Sequence, residues 1–444
     1  MKGLYRSIVL LALPLLVGQL GNIAVGFADN IMVGRHSTAE LAAASFVNNF
    51  FNVALLACVG FAYGLTPLVG ALFARGEKAQ AGRYVRIGLR VNILFTLVVS
   101  AIMLGVYFFL DRMGQPEELL PFIRPYYLVV LAGMIPVSVF NVFAQWSFGI
   151  GNTLLPTVIL LAGNVVNIAG NYALVYGQWG APELGLLGAG LSTLGTRVAV
   201  MFAMVLVFMG TRLGADYRTS FRRPGPTPGI GRRVLHTGFP VSMQMFFETA
   251  AFSGSAVMAG LLGTVPLAAL QIIVTIGMFG FCIYYSIGGA MAIDLSHAAG
   301  RGDNREMRRC ARAGYHITIV AMVAASALFV LGGPEIIGWF TEDAAVRGAA
   351  VGVIVPLVLY QLGDATQISF ANALRGTSHV TPMLYIAFVS YVLIGLPTTY
   401  ALAIWGGLGL YGIVLSFSAS LFLAAGLYFV YFMRATRGKA KCRI

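Results

Sequence analysis

Charge is what this chain has least of: Asp, Glu, Lys and Arg together make up 10% of its 444 residues, against 58% hydrophobic ones. No soluble domain of this size covers its surface with so few charges. Lysine occurs only at positions 2, 78, 439 and 441, and none of them closes a GxxxxGK[ST] loop, which disfavours a primary pump driven by ATP. The five histidines, His36, His236, His297, His316 and His379, show neither HExxH nor HxxxH spacing, and GxSxG is absent. An integral-membrane enzyme would need such a reactive constellation, so no enzyme is expected. The four cysteines at 58, 282, 310 and 442 include no CxxC, and neither a disulfide framework nor a metal knuckle is implied. The short N-terminal lead lacks a small-residue cleavage site, so no removable signal peptide is expected.

What is there instead is long apolar runs. Twelve stretches of about 20 residues or more are long enough to cross a hydrocarbon core roughly 30 Å thick. They fall near 8–33, 41–73, 86–110, 122–146, 153–177, 186–210, 234–262, 267–299, 310–333, 345–374, 380–404 and 409–433. The fold class is therefore an all-α polytopic membrane protein.

The net charge of +13 would suit a nucleic-acid partner if it were clustered on a soluble surface. It alternates between sides of a membrane instead. The N-terminus (Lys2, Arg6), the loop after the second span (Arg75 to Arg90), the loop after the sixth (Arg212 to Arg233), the loop after the eighth (Arg301 to Arg312), Arg375 and the tail (Arg434 to Arg443) carry 24 of the 29 basic residues. Only Arg35, Arg112, Arg124 and Arg347 fall on the other side. The positive-inside rule then places both termini in the cytoplasm, which an even number of spans requires. No nucleic-acid partner is expected; the lipid bilayer is one.

The chain also repeats itself. At an offset of 226 residues, Pro14 falls on Pro240, Met32 and Gly34 on Met258 and Gly260, TAELAA from Thr38 on TVPLAA from Thr264, Arg75-Gly76 on Arg301-Gly302, and Pro156 on Pro382. GLLGAGLS from Gly185 matches GLYGIVLS from Gly409 at a nearly equal offset. Six spans used twice enter from the same side, so the expectation is two six-helix lobes related by a pseudo-two-fold axis along the membrane normal, facing each other across a cleft. The boundaries are an N-lobe at 1–210, a cytoplasmic linker rich in Arg, Gly and Pro at 211–233, and a C-lobe at 234–444.

With the arginines assigned to loops, few polar residues remain in the spans. Asp29 lies near the outer end of the first, Glu248 in the first half of the seventh, and Asp364 near the middle of the tenth. An acid at the bilayer centre costs about 2.5–3.5 kcal/mol on insertion scales, so each demands a reason. Gln244 precedes Glu248 by one turn, Tyr360, Gln361 and Gln367 flank Asp364, and Asn164, Asn167 and Asn171 form a stripe on the fifth span. These faces point inward. A carboxylate in a low-dielectric cavity can hold a proton, Na+ or an organic cation in turn, and that exclusivity couples inward ion flow to outward cation export. The competing reading for each acid is a hydrogen-bonded packing role, and for the asparagines it is interhelical bonding. Asp294 is read as solvated or paired with the neighbouring basic loop. Arg197, inside the sixth span, is left with two options, snorkelling or pairing with an acid.

Three stretches carry a resemblance. They are ALPLLVGQLGNIAVGFADNIMVGRHSTAELAAASF, PVSMQMFFETAAFSGSAVMAGLLGTVPLAALQI and YQLGDATQISFANALRGTSHVTP. Over essentially all twelve spans the chain resembles the multidrug and toxic compound extrusion (MATE) family, in its NorM-like branch. The resemblance implies export of cationic, amphiphilic drugs driven by Na+ or H+, by a monomer in the bacterial inner membrane, with no cofactor beyond the coupling ion. It also implies site residues. Asp29 matches the family's acid on the first helix, with Asn167, Asn171 and Thr193 beside it. Glu248 and Asp364 match the cation-binding pair of the second half, with Tyr360 at the accompanying aromatic position and Gln244 a turn from Glu248. Na+, where it is the coupling ion, is expected at Glu248 and Asp364. One departure is that some relatives bear a second acid on the fifth span, where this chain has asparagines only; Na+ and H+ stay open.

The rival within transport is a flippase or exporter of lipid-linked oligosaccharide or polysaccharide with the same architecture. Its cavity should be basic to meet pyrophosphate, whereas the charges inside these spans are mostly acidic. No segment resembles a channel filter. In the expected cycle, Na+ or H+ binds the acids from outside, discharges the organic cation, and the lobes rock. Pro14, Pro136, Pro240 and Pro356 are candidate pivots. Met245, Phe252, Met278 and Phe279 are candidates for a soft apolar drug surface, with packing as the alternative role.

Overall fold

The computed structural model describes residues 2–223, 225 and 228–437; Lys439, Lys441, Cys442 and Arg443 of the tail, and Pro224, Pro226 and Thr227 of the linker, lie outside the described residues. Among the described residues there is no strand. The helices are α1 (Lys2–His36), α2 (Thr38–Ala74), α3 (Lys78–Tyr107), α4 (Glu117–Gly149), α5 (Leu154–Tyr176), α6 (Gly185–Gly210), α7 (Ile230–Leu261), α8 (Thr264–Arg301), α9 (Asn304–Gly338), α10 (Ala344–Val351 and Ile354–Gly376), α11 (Thr381–Trp405) and α12 (Gly409–Arg437). A short helix, Ala215–Arg222, lies in the linker. Each of α1 to α12 corresponds to one apolar run of the sequence.

By length and apolar composition alone, ten of these helices can cross a membrane, and the two pieces of α10, bent by 51°, together make an eleventh. The remaining one is α7. Its 32 residues are long enough, but Gln244, Glu248 and three serines dilute its apolar character. The span least like lipid is the one that carries a candidate site.

Helix faces turned outward are as apolar as those turned inward, as a hydrocarbon solvent requires. Leu94, Ile102, Val165, Val257 and Val320 are all more than 60% exposed. Trp179, Trp339 and Trp405, at 75%, 81% and 79% exposure, follow or end α5, α9 and α11. Indole rings at helix ends suit the headgroup level of a bilayer.

The repeat is written into the backbone as well as the residues. Gly76 (φ 76°) and Gly302 (φ 73°) end α2 and α8 in the left-handed region, and Gly185 (φ 55°) and Gly409 (φ 54°) begin α6 and α12 there. Side chains other than glycine rarely adopt that conformation. The matched glycines are thus matched turns.

Contacts divide the chain into two compact units, one of residues 17–242 and one of residues 1–16 with 243–444. In the first, Phe51 meets Tyr127 at 4.7 Å between ring centres and Trp146 meets Phe208 at 4.8 Å. In the second, Ile8 and Ala12 pack with Ile287, Ala290 and Ala313. There Ser7 donates to Asp294 at 3.1 Å, so Asp294 is partly buried and held by a hydroxyl. Pro136 and Pro356 follow the breaks at Gly133 in α4 and Gly352–Val353 in α10, while Pro14 and Pro240 lie inside continuous helices. In α11, residues Phe388–Gly395 and Ala401–Trp405 are wound as π-helix, a widening that re-aims side chains and is frequent at functional sites.

Candidate cation sites

The 17–242 unit gathers its polar residues where α1, α5 and α6 meet. Small residues set the approach. A Cβ at Gly170 of α5 would lie 2.4 Å from Ser192 Oγ of α6, and one at Gly188 of α6 would lie 2.4 Å from the backbone oxygen of Leu174. Helices this close bring short polar side chains into range across the interface. Asn171 Nδ2 donates to Asp29 Oδ1 at 2.5 Å, Asn167 Nδ2 donates to Thr193 Oγ1 at 3.1 Å, and Ser192 Oγ donates to the backbone oxygen of Asn167 at 2.9 Å. The asparagine stripe thus faces α1 at one turn and α6 at the next, and Asp29, Asn167, Asn171 and Thr193 are brought together. The side-chain oxygens of Asn167 and Asn171 have no hydrogen-bond partner. Arg197, one turn beyond Thr193 on α6, lies within electrostatic range of Asp29 and of Tyr126 on α4.

The second site lies among α7, α8, α10, α11 and α12 of the other unit. Gln244 Nε2 donates to Glu248 Oε2 at 2.5 Å, the pairing that their four-residue spacing predicts. Glu248 remains partly exposed, whereas Asp364 is 2% exposed. The two acids lie within electrostatic range of each other. Around them stand Tyr360, Tyr391 and Tyr428. Glycines of α8 make the room: a Cβ at Gly280 would lie 2.5 Å from Gln361 Oε1, and one at Gly277 would lie 3.3 Å from the Tyr360 ring.

Buried polar atoms normally find partners, and here several do not. Asp364 Oδ2, both side-chain polar atoms of Gln361, Gln367 Oε1 and the Tyr391 and Tyr428 hydroxyls are all unpartnered. Gln361 and Tyr428 are 0% exposed and Tyr391 is 3% exposed. Unpartnered side-chain oxygens in a unit that carries two acids are donors of the kind a monovalent cation takes. They do not fit a transition metal, since among the described residues no three His, Cys, Asp or Glu converge.

Tyr391 and Tyr428 were not singled out by sequence. Tyr391 stands in the π-wound part of α11, and its hydroxyl lies within reach of Glu248 without closing a well-formed hydrogen bond in this conformation. A pair of tyrosines among 19 carries no signal of its own. Of the apolar candidates, Phe252 packs against Phe417 at 4.7 Å and Tyr360 at 6.2 Å, lining the C-unit site. Met278 and Phe279 are 49% and 44% exposed, and Met245 is partly buried.

The profile of the MatE family matches residues 14–173 and again 240–401, two copies whose starts lie 226 residues apart, the offset of the sequence repeat. Over 423 residues, covering 94% of this chain and 92% of the relative, the chain is 29% identical to a protein of Xanthomonas campestris pv. campestris described as probable multidrug resistance protein NorM. Among solved structures, a MATE protein in complex with MaL6 is similar with a TM-score of 0.85 at 19% identity, over 98% of this chain and 96% of that one. The eukaryotic MATE transporter AtDTX14 is similar with a TM-score of 0.88 at 16% identity, over 100% and 99% of the two chains. A MOP superfamily transporter from Pyrococcus furiosus, described as having a binding pocket of reverse polarity, is similar with a TM-score of 0.86 at 17% identity, over 98% and 97%.

Proposed function

Because the chain belongs to the MatE family, we propose that it is a secondary antiporter that exports cationic, amphiphilic compounds in exchange for inward Na+ or H+. One observation carries this reading: Glu248 and Asp364 lie within range of each other, buried side-chain oxygens of the same unit stand without partners, and among the described residues no basic group acts on either acid. Two acids without a base hold an unmet demand for positive charge in a low-dielectric setting. A proton, Na+ or an organic cation each meets that demand, and occupancy by one disfavours the next.

In the proposed cycle the inorganic ion takes Glu248 and Asp364 from the outside and discharges the organic cation; the conformation then changes, and cargo from the cytoplasm displaces the ion. Gln244 holds one oxygen of Glu248 in place. Tyr360 offers its ring face and Phe252 its apolar surface to the cargo, the combination that amphiphilic cations select. Asp29, Asn167, Asn171 and Thr193 form the second polar centre. We place the protein in the bacterial inner membrane with both termini cytoplasmic, a reading that the basic loops and the exposed tryptophans at helix ends support, and we take it to work as a monomer.

Reconstitution tests the proposal. Purified protein in liposomes, with Na+ and pH gradients imposed separately, is expected to move ethidium or a fluoroquinolone only when one of the gradients is present. Movement under neither gradient, or turnover of a lipid that ignores both, would overturn it.

A further inference from the structure

His36, which the proposed cycle does not use, stands between two acids. It is the last residue of α1, and its ring has Nδ1 at 2.9 Å from Glu40 Oε2 and Nε2 at 3.2 Å from Glu183 Oε1. Glu40 belongs to the first turn of α2 and is buried; Glu183 lies in the turn between α5 and α6 and is exposed. The same oxygen of Glu40 accepts from the backbone N–H of Leu186 at 2.8 Å, where α6 begins. Gly185, at φ 55°, gives that carboxylate its place, since an added Cβ would collide with it. Three segments of the 17–242 unit therefore meet on one imidazole.

Both contacts need a proton on the ring. Ionised carboxylates only accept hydrogen bonds, so a ring that bonds one through each nitrogen carries two N–H groups and is an imidazolium. A neutral ring has one N–H and must turn a lone pair towards the other carboxylate. The other titratable or charged groups beside it are Tyr176 of α5, at 6.4 Å between ring centres, and its exposed neighbour Arg35.

The histidine also ends a seam. Asn171 of α5 donates to Asp29, the Tyr176 hydroxyl donates to the backbone oxygen of Met32 at 2.8 Å, and Glu183 meets His36, so three successive turns of α1 are tied to α5 and the turn that follows it. His36 lies seven residues after Asp29 and shares its face of α1. The repeat shows that the fold does not require this arrangement. At the offset of 226 residues His36 and Glu40 fall on Leu262 and Pro266, and at the offset that joins Gly185 to Gly409, Glu183 falls on Gly407. The second half makes the corresponding turns without an ionisable side chain at any of these positions.

We propose that His36 is a proton-operated clasp on the Asp29 centre: protonated, it holds the end of α1 on Glu40 and Glu183 and keeps Asp29 against Asn171; neutral, it lets that end lift and admits water to Asp29. This deepens the antiporter reading, and rests on it for the cation role of Asp29 and for the outward orientation of this end of α1. The clasp is complete below about pH 6.5, where a histidine is protonated even without partners. It is lost as the pH rises through the value at which the ring ionises in the folded chain.

Hydrogen–deuterium exchange of the full chain in nanodiscs tests it. From about pH 5.5 to about pH 8.5, at constant Na+, protection of residues 29–37 and 181–186 relative to intrinsic exchange is expected to fall by about fivefold or more. In His36→Gln it should be low at both pH values, and in His36→Arg, whose charge is permanent, high at both. Glu183→Gln, at an exposed position, should lower protection at the acidic pH by about twofold. A wild-type chain with pH-independent protection, or a His36→Gln chain that keeps the wild-type response, overturns the proposal. Should His36→Gln fail to fold, the arginine variant decides, because loss of its protection at the alkaline pH overturns the clasp. Exchange needs no transport, so the two readings fail separately. A chain that moves ethidium under neither gradient loses the antiporter reading while the clasp stands on its exchange data, and a transporting chain with pH-independent protection loses the clasp alone.

Discussion

Gln244 Nε2 donates to Glu248 Oε2 from one turn earlier on α7, at 2.5 Å. The donor is an amide, so it fixes the carboxylate without neutralising it. The charge stays available to Asp364, to the tyrosines and to a passing cation. A lysine in place of Gln244 would quench the site; the neutral residue aims it.

Removing either acid's charge while keeping its shape should abolish coupling. Glu248→Gln and Asp364→Asn are each expected to reduce gradient-driven export of ethidium to the level of liposomes without protein, with insertion and yield unchanged. Wild-type export by both variants would take the site away from these residues.

Gln244→Leu should act in the opposite direction. A hydrogen bond to a charged group contributes about 1.5–3 kcal/mol, and this one stabilises the cation-free carboxylate, so losing it is expected to tighten cation binding by about tenfold or more. The acid itself survives. Binding titrations of the variant should therefore show raised affinity at unchanged stoichiometry, and a lost site would mean that Gln244 is itself a ligand.

Tyr391→Phe separates a site residue from a packing residue. The Tyr391 hydroxyl is buried with no hydrogen-bond partner, and an unsatisfied buried polar group costs about 1–3 kcal/mol. Deleting the oxygen should leave thermal stability unchanged or raised while weakening cation binding. A packing role would leave binding intact.

Much of this was legible in the sequence because a bilayer imposes strong rules. A run of about 20 apolar residues has one common outcome in lipid, and Gly76, Gly302, Gly185 and Gly409, aligned by the repeat, all adopt the left-handed turns that only glycine enters freely. Spacing placed Gln244 on Glu248 and the asparagines on one face. What stayed illegible depends on tertiary approach. Nothing local tells that Arg197 of α6 lies against Gly133 of α4, nor that α11 winds as a π-helix and turns Tyr391 towards Glu248. Apolar content was itself misleading at α7, where the polar residues that make the site also lower its likeness to a span.

The asparagine centre depends on how closely α5 and α6 approach, and that distance rests on glycine. At Gly188 an added Cβ would lie 2.4 Å from the backbone oxygen of Leu174 and 2.6 Å from its carbonyl carbon. Backbone cannot swing aside as a side-chain tip can, so Gly188→Ala must push the helices apart, at a cost of about 1–3 kcal/mol for overpacking. The shift would open the Asn167–Thr193 contact and with it the register that sets Asn171 against Asp29. At Gly105 of α3 nothing lies within 4 Å of the added atom, and there alanine should stabilise the helix slightly. Thermal unfolding of the two variants in detergent is expected to move in opposite directions. Equal midpoints would mean that the α5–α6 approach is soft, and that the polar contacts between the helices hold the asparagine centre without help from close packing.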